Sequence, residues 1–198
     1  MNLRIFSILL IGFLLSGCVS PENSAGYVDS EEDLPQNVSF ESPTYFQDQD
    51  GDVSDLSGIV EGERTLLLWV GASCRGCHDW TNMIREGIEN GSISDISVVS
   101  IHRWSAFEDE NQTLSRYVGD NSENPSIWPV MLPDENTRVI DLDTGYLTTT
   151  GLYEAFDDPS TPTLQIYHED GSVESLQHSY WADWDELSNF AEVLKMDL

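Results

Sequence analysis

Apolar and polar positions fall into separate blocks along this 198-residue chain. The near-continuous apolar run Leu66–Val70 predicts a strand that is buried on both faces. The next apolar residues repeat at intervals of three and four, which predicts a helix with one buried stripe: Trp80, Met83, Ile84 and Ile88. Gly91 is a plausible end for this helix.

The other blocks predict a mixed set of elements. Segments 96–101 and 128–132 have the pattern of strands, and runs 164–167 and 173–176 flank a turn and predict a hairpin. Segments 113–118 and 184–194 predict helices, and 144–156 has a weak helical pattern. Residues 45–46 followed by the Asp-rich segment 48–53 predict a strand and a turn. This order predicts an α/β sandwich around a central sheet.

The first residues have the pattern of an export signal. Segment 1–17 has one basic residue, an apolar core and small residues at its end, as secretory signals do. Leu15-Ser16-Gly17-Cys18 resembles the lipobox of prokaryotic lipoproteins, which implies lipid on Cys18 and anchoring in the cell envelope, outside the cytoplasm. The alternative is an ordinary signal peptide. Residues 18–42 predict a flexible acidic tether, and 43–198 predict one domain.

The charge balance excludes some partners. The chain has 36 acidic and 8 basic residues, for a net charge of −28. Phosphate binding needs Lys and Arg, so nucleic acid is excluded as a partner. An anionic membrane is also a poor electrostatic partner, and attachment would need the lipid. Two interpretations stay open, a solvated surface suited to a salty medium and a patch that recruits a basic partner.

Cys74-Arg75-Gly76-Cys77 lies between the predicted strand and the predicted helix. A cysteine thiolate at a helix start is stabilised by unpaired N–H groups and the helix dipole. Cys77 falls on the buried stripe with Trp80 and Ile84, so we expect Cys74 to attack and Cys77 to resolve. Arg75 should lower the pKa of Cys74 further. If Cys18 carries lipid, Cys74 and Cys77 are the two cysteines that remain of three. An exported protein with only this pair favours redox chemistry over a structural disulfide.

The order of these features resembles the thioredoxin superfamily, and most of all its membrane-tethered TlpA/ResA-like thiol-disulfide oxidoreductases. The matching features, in chain order, are Asp50-Gly51, Leu56-Ser57-Gly58, the apolar strand, the C-x-x-C helix, Thr161-Pro162-Thr163 and Asp170-Gly171. The resemblance implies a three-layer sandwich with a mixed sheet. It also implies a cis-proline at Pro162, which holds the Thr161 backbone against the disulfide where it can pair with a substrate.

The resemblance further implies a function. It implies thiol–disulfide exchange on exported proteins, with an extracytoplasmic redox partner and no dissociable cofactor. The direction of exchange stays open, because reduction potential depends on thiolate stability.

Several family residues are replaced in this chain. Ser73 stands where tryptophan is common, and Gly76 stands where proline is common and should loosen the turn. Leu68 and Trp80 occupy positions where relatives carry a carboxylate. Asp79 lies off the buried stripe and is interpreted as a solvated helix residue. Without those carboxylates, the couple should be more oxidising than that of a typical thioredoxin.

Three alternatives remain. Cys74 to His78 also spell C-x-x-C-H, a haem c attachment motif, with His78 as axial ligand and Met83 or Met131 opposite. A Sco-like copper protein would combine the two cysteines with a distal histidine, for which the sequence offers three candidates: His102, His168 and His178. A non-catalytic thioredoxin-fold interaction module is the third. Zinc would need more ligands than the sequence groups together.

Overall fold

The computed structural model describes residues 34–46, 49–104, 107–119 and 122–196. The predicted signal 1–17, Cys18 and tether residues 19–33 lie outside the described residues. The described part forms the following elements in chain order: β1 Val38–Ser39, β2 Glu41–Phe46, β3 Gln49–Asp55, α1 Leu56–Val60, β4 Thr65–Val70, α2 Arg75–Glu89, β5 Ser97–His102, α3 Glu110–Tyr117, β6 Val130–Met131, β7 Arg138–Asp141, β8 Tyr146–Gly151, α4 Leu152–Ala155, β9 Thr163–Tyr167, β10 Val173–Ser175 and α5 Trp184–Lys195.

A seven-stranded mixed sheet organises the fold. Its strand order is β10-β9-β4-β5-β6-β2-β3. Strands β4, β5 and β6 run parallel, and the other neighbours pair antiparallel. All six residues of β4 are buried, because both faces of this central strand are covered. The predicted strand at Leu66–Val70 is therefore confirmed.

The two faces of β4 pack against different layers. Leu66, Leu68 and Val70 join one core cluster, to which α2 contributes Trp80 and α5 contributes Phe190. The alternate residues of β4 join a second cluster with residues of α1 and of the segment after α4, and its members include Leu67, Trp69, Leu56, Val60 and Phe156. This alternation follows from the two-residue period of a strand. The predicted three-layer α/β sandwich with a mixed sheet is confirmed.

The second sheet corrects two expectations. It has the strand order β1-β7-β8. The helix predicted for 144–156 was therefore wrong over Tyr146–Gly151, which form β8, and within that range only α4 is helical. A run of threonines pairs more readily in a hairpin than it lines a helix. The folded unit also begins at Leu34, not at 43. Val38 and Phe40 are buried, because β1 pairs with β7.

The helices match the pattern-based predictions closely. Helix α2 carries the predicted stripe with buried Cys77, Trp80 and Ile84, and its chain turns at Gly91, where φ is +76°. Helix α5 covers the predicted 184–194. By contrast, residues 49–53 of the predicted turn belong to β3, an edge strand. None of the helices in the described part of the chain is long and apolar enough to cross a bilayer.

Candidate active site

The two cysteines lie where β4 passes into α2. Cys74 and Cys77 form a disulfide with an S–S distance of 2.07 Å and Cα atoms 5.2 Å apart. Cys74 is the N-cap of α2, and its Sγ accepts a hydrogen bond from the backbone N–H of Cys77 at 3.1 Å. Side-chain acceptors are favoured at this position because the first turn of a helix leaves its N–H groups unpaired. The same donors would stabilise a Cys74 thiolate.

The two sulfurs differ in their access to solvent. Cys77 is fully buried, whereas Cys74 is 9% exposed. The Sγ of Cys77 also lies 3.7 Å from the carbonyl oxygen of Trp69, at the end of β4. A reagent from solution therefore reaches Cys74 first. Arg75 is exposed and is the first residue of α2.

Strand pairing brings the proline motif to the same end of β4. Thr163 of β9 is opposite Trp69 in the antiparallel register, so Pro162 lies beside the strand end that contacts Cys77. The Thr161–Pro162 peptide bond is cis, the isomer that the resemblance implies. Pro162 is buried and Thr161 is half-buried. Two motifs that are far apart in the chain thus reach the same end of β4, because β4 and β9 are neighbours.

Gly76 has a packing role that the sequence analysis missed. A Cβ at this position would lie 2.4 Å from the carbonyl oxygen of Tyr180 and 3.0 Å from Cζ of its ring. Tyr180 belongs to residues 178–182, which we call the covering segment. Glycine is required here because the backbone of the covering segment approaches α2 too closely for any side chain. Proline at this position, which is common in the family, would collide with that carbonyl.

Side chains of α2 and α5 hold the covering segment by hydrogen bonds. Trp80 is fully buried, and its Nε1 donates to the carbonyl of Ser179 at 3.1 Å. The Oδ2 of Asp79 accepts from the N–H of Ala182 at 3.0 Å, so the interpretation of Asp79 as a solvated residue was wrong. Ser179 also donates its backbone N–H to Glu186 of α5 at 2.9 Å. These contacts fix one wall beside the disulfide.

A second wall comes from Glu108, which sequence reasoning missed. Its carboxylate accepts from the N–H of Ala72 at 2.9 Å, from the N–H of Ser73 at 2.8 Å and from the Ser73 hydroxyl. Nε2 of His102 lies 3.2 Å from the same carboxylate. Glu108 follows β5, far from the cysteines in sequence, and no spacing rule connects it with them. Only the parallel pairing of β4 with β5 brings the two strand ends together.

Two further side chains hold the carbonyls of the same loop. The Tyr117 hydroxyl donates to the carbonyl of Gly71 at 2.8 Å, and burial raises the pKa of Tyr117. Nε2 of His78 lies 2.9 Å from the carbonyl of Ala72 and therefore donates to it. Burial lowers the pKa of His78, which favours the neutral ring. The Gly71–Ser73 loop is therefore held from α2, α3 and the chain after β5.

The histidines named in the metal and haem alternatives have other partners within the described residues. Nε2 of His78 lies against the backbone carbonyl of Ala72, and the two sulfurs are joined to each other. Over residues 34–196, excluding the gaps given above, no three His, Cys, Asp or Glu side chains group as a metal site. Each histidine named for copper has another partner: His102 has Glu108, His168 has Glu174 and His178 has the N–H of Leu164.

Comparison with known proteins supports the fold. No family model and no curated protein matches this chain. Among solved structures, the thioredoxin domain of a thiol-disulfide oxidoreductase from Bacteroides vulgatus aligns with a TM-score of 0.51 at 14% identity, over 78% of this chain and 91% of that one. The mitochondrial 2-Cys peroxiredoxin from Plasmodium falciparum aligns with a TM-score of 0.51 at 11% identity, over 81% and 92%.

A third structure, that of MTB dsbF in mixed oxidised and reduced forms, aligns with a TM-score of 0.50 at 13% identity, over 82% of this chain and 97% of that one. At these identities the likeness establishes a thioredoxin-like fold. It does not by itself decide between the different chemistries of these proteins.

Proposed function

We propose that this protein is a thiol-disulfide oxidoreductase that acts through Cys74 and Cys77. The observation that carries the proposal is the hydrogen bond from the Cys77 N–H to Cys74 Sγ at the start of α2. This contact places the more exposed sulfur where a thiolate is stabilised. Pro162, beside the end of β4, would hold the Thr161 backbone where a substrate strand can pair.

In the reductive direction, the Cys74 thiolate attacks one sulfur of a substrate disulfide. A mixed disulfide forms, and the other substrate sulfur leaves as a thiolate that takes up a proton. Cys77 then loses its proton and attacks Cys74 Sγ, which releases the second substrate thiol and forms the Cys74–Cys77 disulfide. Two electrons and two protons pass to the substrate. The oxidative direction reverses these steps.

The substrates that this proposal favours are exported proteins. The support comes from the sequence, since segment 1–17 has the pattern of an export signal and the pair Cys74/Cys77 suits an oxidising compartment. The redox partner would then be an extracytoplasmic or membrane protein. No dissociable cofactor is needed, because the Cys74/Cys77 pair itself carries two electrons in its dithiol form.

The proposal is tested with the purified, metal-free protein. We expect it to accelerate the reduction of insulin by dithiothreitol or the reactivation of a scrambled test protein. The double variant Cys74→Ser/Cys77→Ser serves as the control and should leave only the uncatalysed rate. Absence of exchange in both assays would contradict the proposal, as would stoichiometric copper that survives a chelator or a Soret band from covalent haem in an inactive protein.

We also predict that the mature protein begins at Cys18 and carries lipid there. The motivation is the segment Leu15-Ser16-Gly17-Cys18, which places small residues before the cysteine. Cys18→Ser should move the protein from the membrane fraction to the soluble fraction of expressing cells. Intact-mass analysis of the native protein decides the matter, since a Cys18 without lipid would contradict the prediction.

A further inference from the structure

Glu108 carries a buried negative charge beside the redox pair. Its side chain is only 4% exposed. Burial alone raises the pKa of a carboxyl group, but hydrogen bonds from Ser73, Ala72 and His102 outweigh it and hold the pKa of Glu108 below its usual value. The group is therefore ionised at neutral pH.

His102 supports this charge without cancelling it. Burial lowers the pKa of His102, although Glu108 opposes the shift, so the ring is neutral. Its Nδ1 is buried and unpartnered, which assigns the ring proton to Nε2, because an unpaired N–H would cost more than an unpaired lone pair. Nε2–H then donates to Glu108, with the Thr113 hydroxyl 3.0 Å away. A neutral donor orients the carboxylate and leaves its net charge in place.

The Glu108 carboxylate and the Cys74 side chain lie on the same side of Gly71. The point where a Cβ on residue 71 would stand is 3.3 Å from Glu108 Oε2 and 3.6 Å from Cys74 Cβ. Gly71 has no side chain, so nothing from this residue separates the two groups. Because the carboxylate is little exposed, solvent screens its charge weakly, and the charge acts on an ionisable group on the same side of Gly71.

We propose that Glu108 is a positioning residue for the redox pair. It holds the Gly71–Ser73 loop through its backbone hydrogen bonds, and it sets a fixed negative charge behind Cys74. It thus supplies, from the chain after β5, the carboxylate that is absent at Leu68 and Trp80. The proposal rests on the proposed function only in that Cys74 and Cys77 must cycle between disulfide and dithiol.

The position of Glu108 affects the expected reduction potential of the Cys74/Cys77 couple. The sequence predicts an oxidising couple for two reasons: Arg75 and the helix start stabilise the Cys74 thiolate, and no carboxylate stands at Leu68 or Trp80. The start of α2 does stabilise a Cys74 thiolate, but Glu108 opposes it by like-charge repulsion. We infer that the couple is more reducing than the helix start and Arg75 alone would make it. The other titratable or charged groups around Glu108 and this loop are the following: His102, His78, Tyr117, Arg116 and Glu123.

The test compares Glu108→Gln with Glu110→Gln. Both variants remove one negative charge, but Glu110 is exposed on α3, and its contact with the Tyr45 hydroxyl can be kept by an amide. In Glu108→Gln we expect the Cys74 pKa to fall by about one pH unit and the equilibrium with glutathione to move toward the dithiol by up to about tenfold. The pKa is measured from the pH dependence of Cys74 alkylation in a Cys77→Ser background.

Ser73→Ala provides a second variant that should leave the fold intact, since Ser73 is exposed. It removes the hydroxyl that donates to Glu108, so the carboxylate charge is less compensated by hydrogen bonds. The Cys74 pKa should therefore rise, by less than the fall expected in Glu108→Gln. A Glu108→Gln protein that matches Glu110→Gln in both measurements would overturn the proposal. If Glu108→Gln does not fold, the Ser73→Ala variant tests the proposal instead. A Cys74 pKa that is unchanged in Ser73→Ala would then overturn the proposal. Neither measurement uses a protein substrate, so failure of the exchange assays would remove the proposed function and leave this inference standing.

Discussion

A Cys77→Ser protein is expected to accumulate mixed disulfides with its substrates, and a Cys74→Ser protein is expected to accumulate few. Cys77 is fully buried and is the proposed resolving thiol, so its loss should leave the mixed disulfide on Cys74 without an attacking group. Cys74→Ser should lower the exchange rate by about a thousandfold or more, the scale expected when an attacking nucleophile is removed. Non-reducing gels and mass spectrometry of captured adducts measure both effects.

The reduced wild-type protein gives an independent check on these roles. Cys74 should react with an alkylating reagent faster than Cys77, because it is more exposed and its sulfur accepts an N–H at the start of α2. Peptide mapping after a short pulse of reagent separates the two sites. Equal rates, or abundant adducts on Cys77 in the Cys74→Ser protein, would show that the assigned roles are wrong.

The second large effect concerns Trp80. Its indole is fully buried between α2 and α5, with the Phe190 ring 6.2 Å away and the His178 ring 5.8 Å away. Trp80→Ala should lower the free energy of unfolding by about 3–5 kcal/mol, because it leaves a cavity and also removes the hydrogen bond to Ser179. Urea unfolding followed by circular dichroism measures the change.

Trp181→Ala is the matched control for this prediction. Trp181 lies in the covering segment, but its side chain is 55% exposed and packs on the Tyr180 ring, 5.1 Å away. Its removal should cost less than about 1 kcal/mol, as surface substitutions generally do. Similar losses in the two variants would mean that Trp80 does not anchor the core as the structure indicates.

Periodicity was enough to predict the elements that are long or buried on both faces. The six apolar residues of β4 and the three-and-four spacing along α2 each have one simple structural solution. The hairpin β9–β10 and helix α5 followed from a turn signal and an apolar stripe. Hydrophobic patterns did not predict the strands at the edge of the main sheet or in the second sheet. Strand β3 and the sheet β1-β7-β8 are short, polar or partly exposed, and their pairing depends on partners distant in sequence.

The residues of the candidate site also fall into those that the sequence predicted and those that only the tertiary structure placed there. Cys74 and Cys77 are three residues apart, so the helix start alone sets their geometry and their difference in burial. The motif around Pro162 was found through resemblance, and the pairing of β9 with β4 brings it to the end of β4 that contacts Cys77. Nothing in the local sequence of Glu108 distinguishes it from the other acidic residues of the chain.

The sequence by itself determined the α/β class and the strand-to-helix position of the two cysteines, and it predicts that Cys74 attacks before Cys77. These properties depend on neighbours within a few residues, where strand and helix periods govern direction and burial. Only the tertiary structure decided what surrounds the pair. The parallel ladder between β4 and β5 brings Glu108 to the loop before Cys74, and the close approach of Tyr180 makes glycine necessary at residue 76. Long-range pairing sets the charge and the steric limits beside Cys74, and local periodicity contains no information about them.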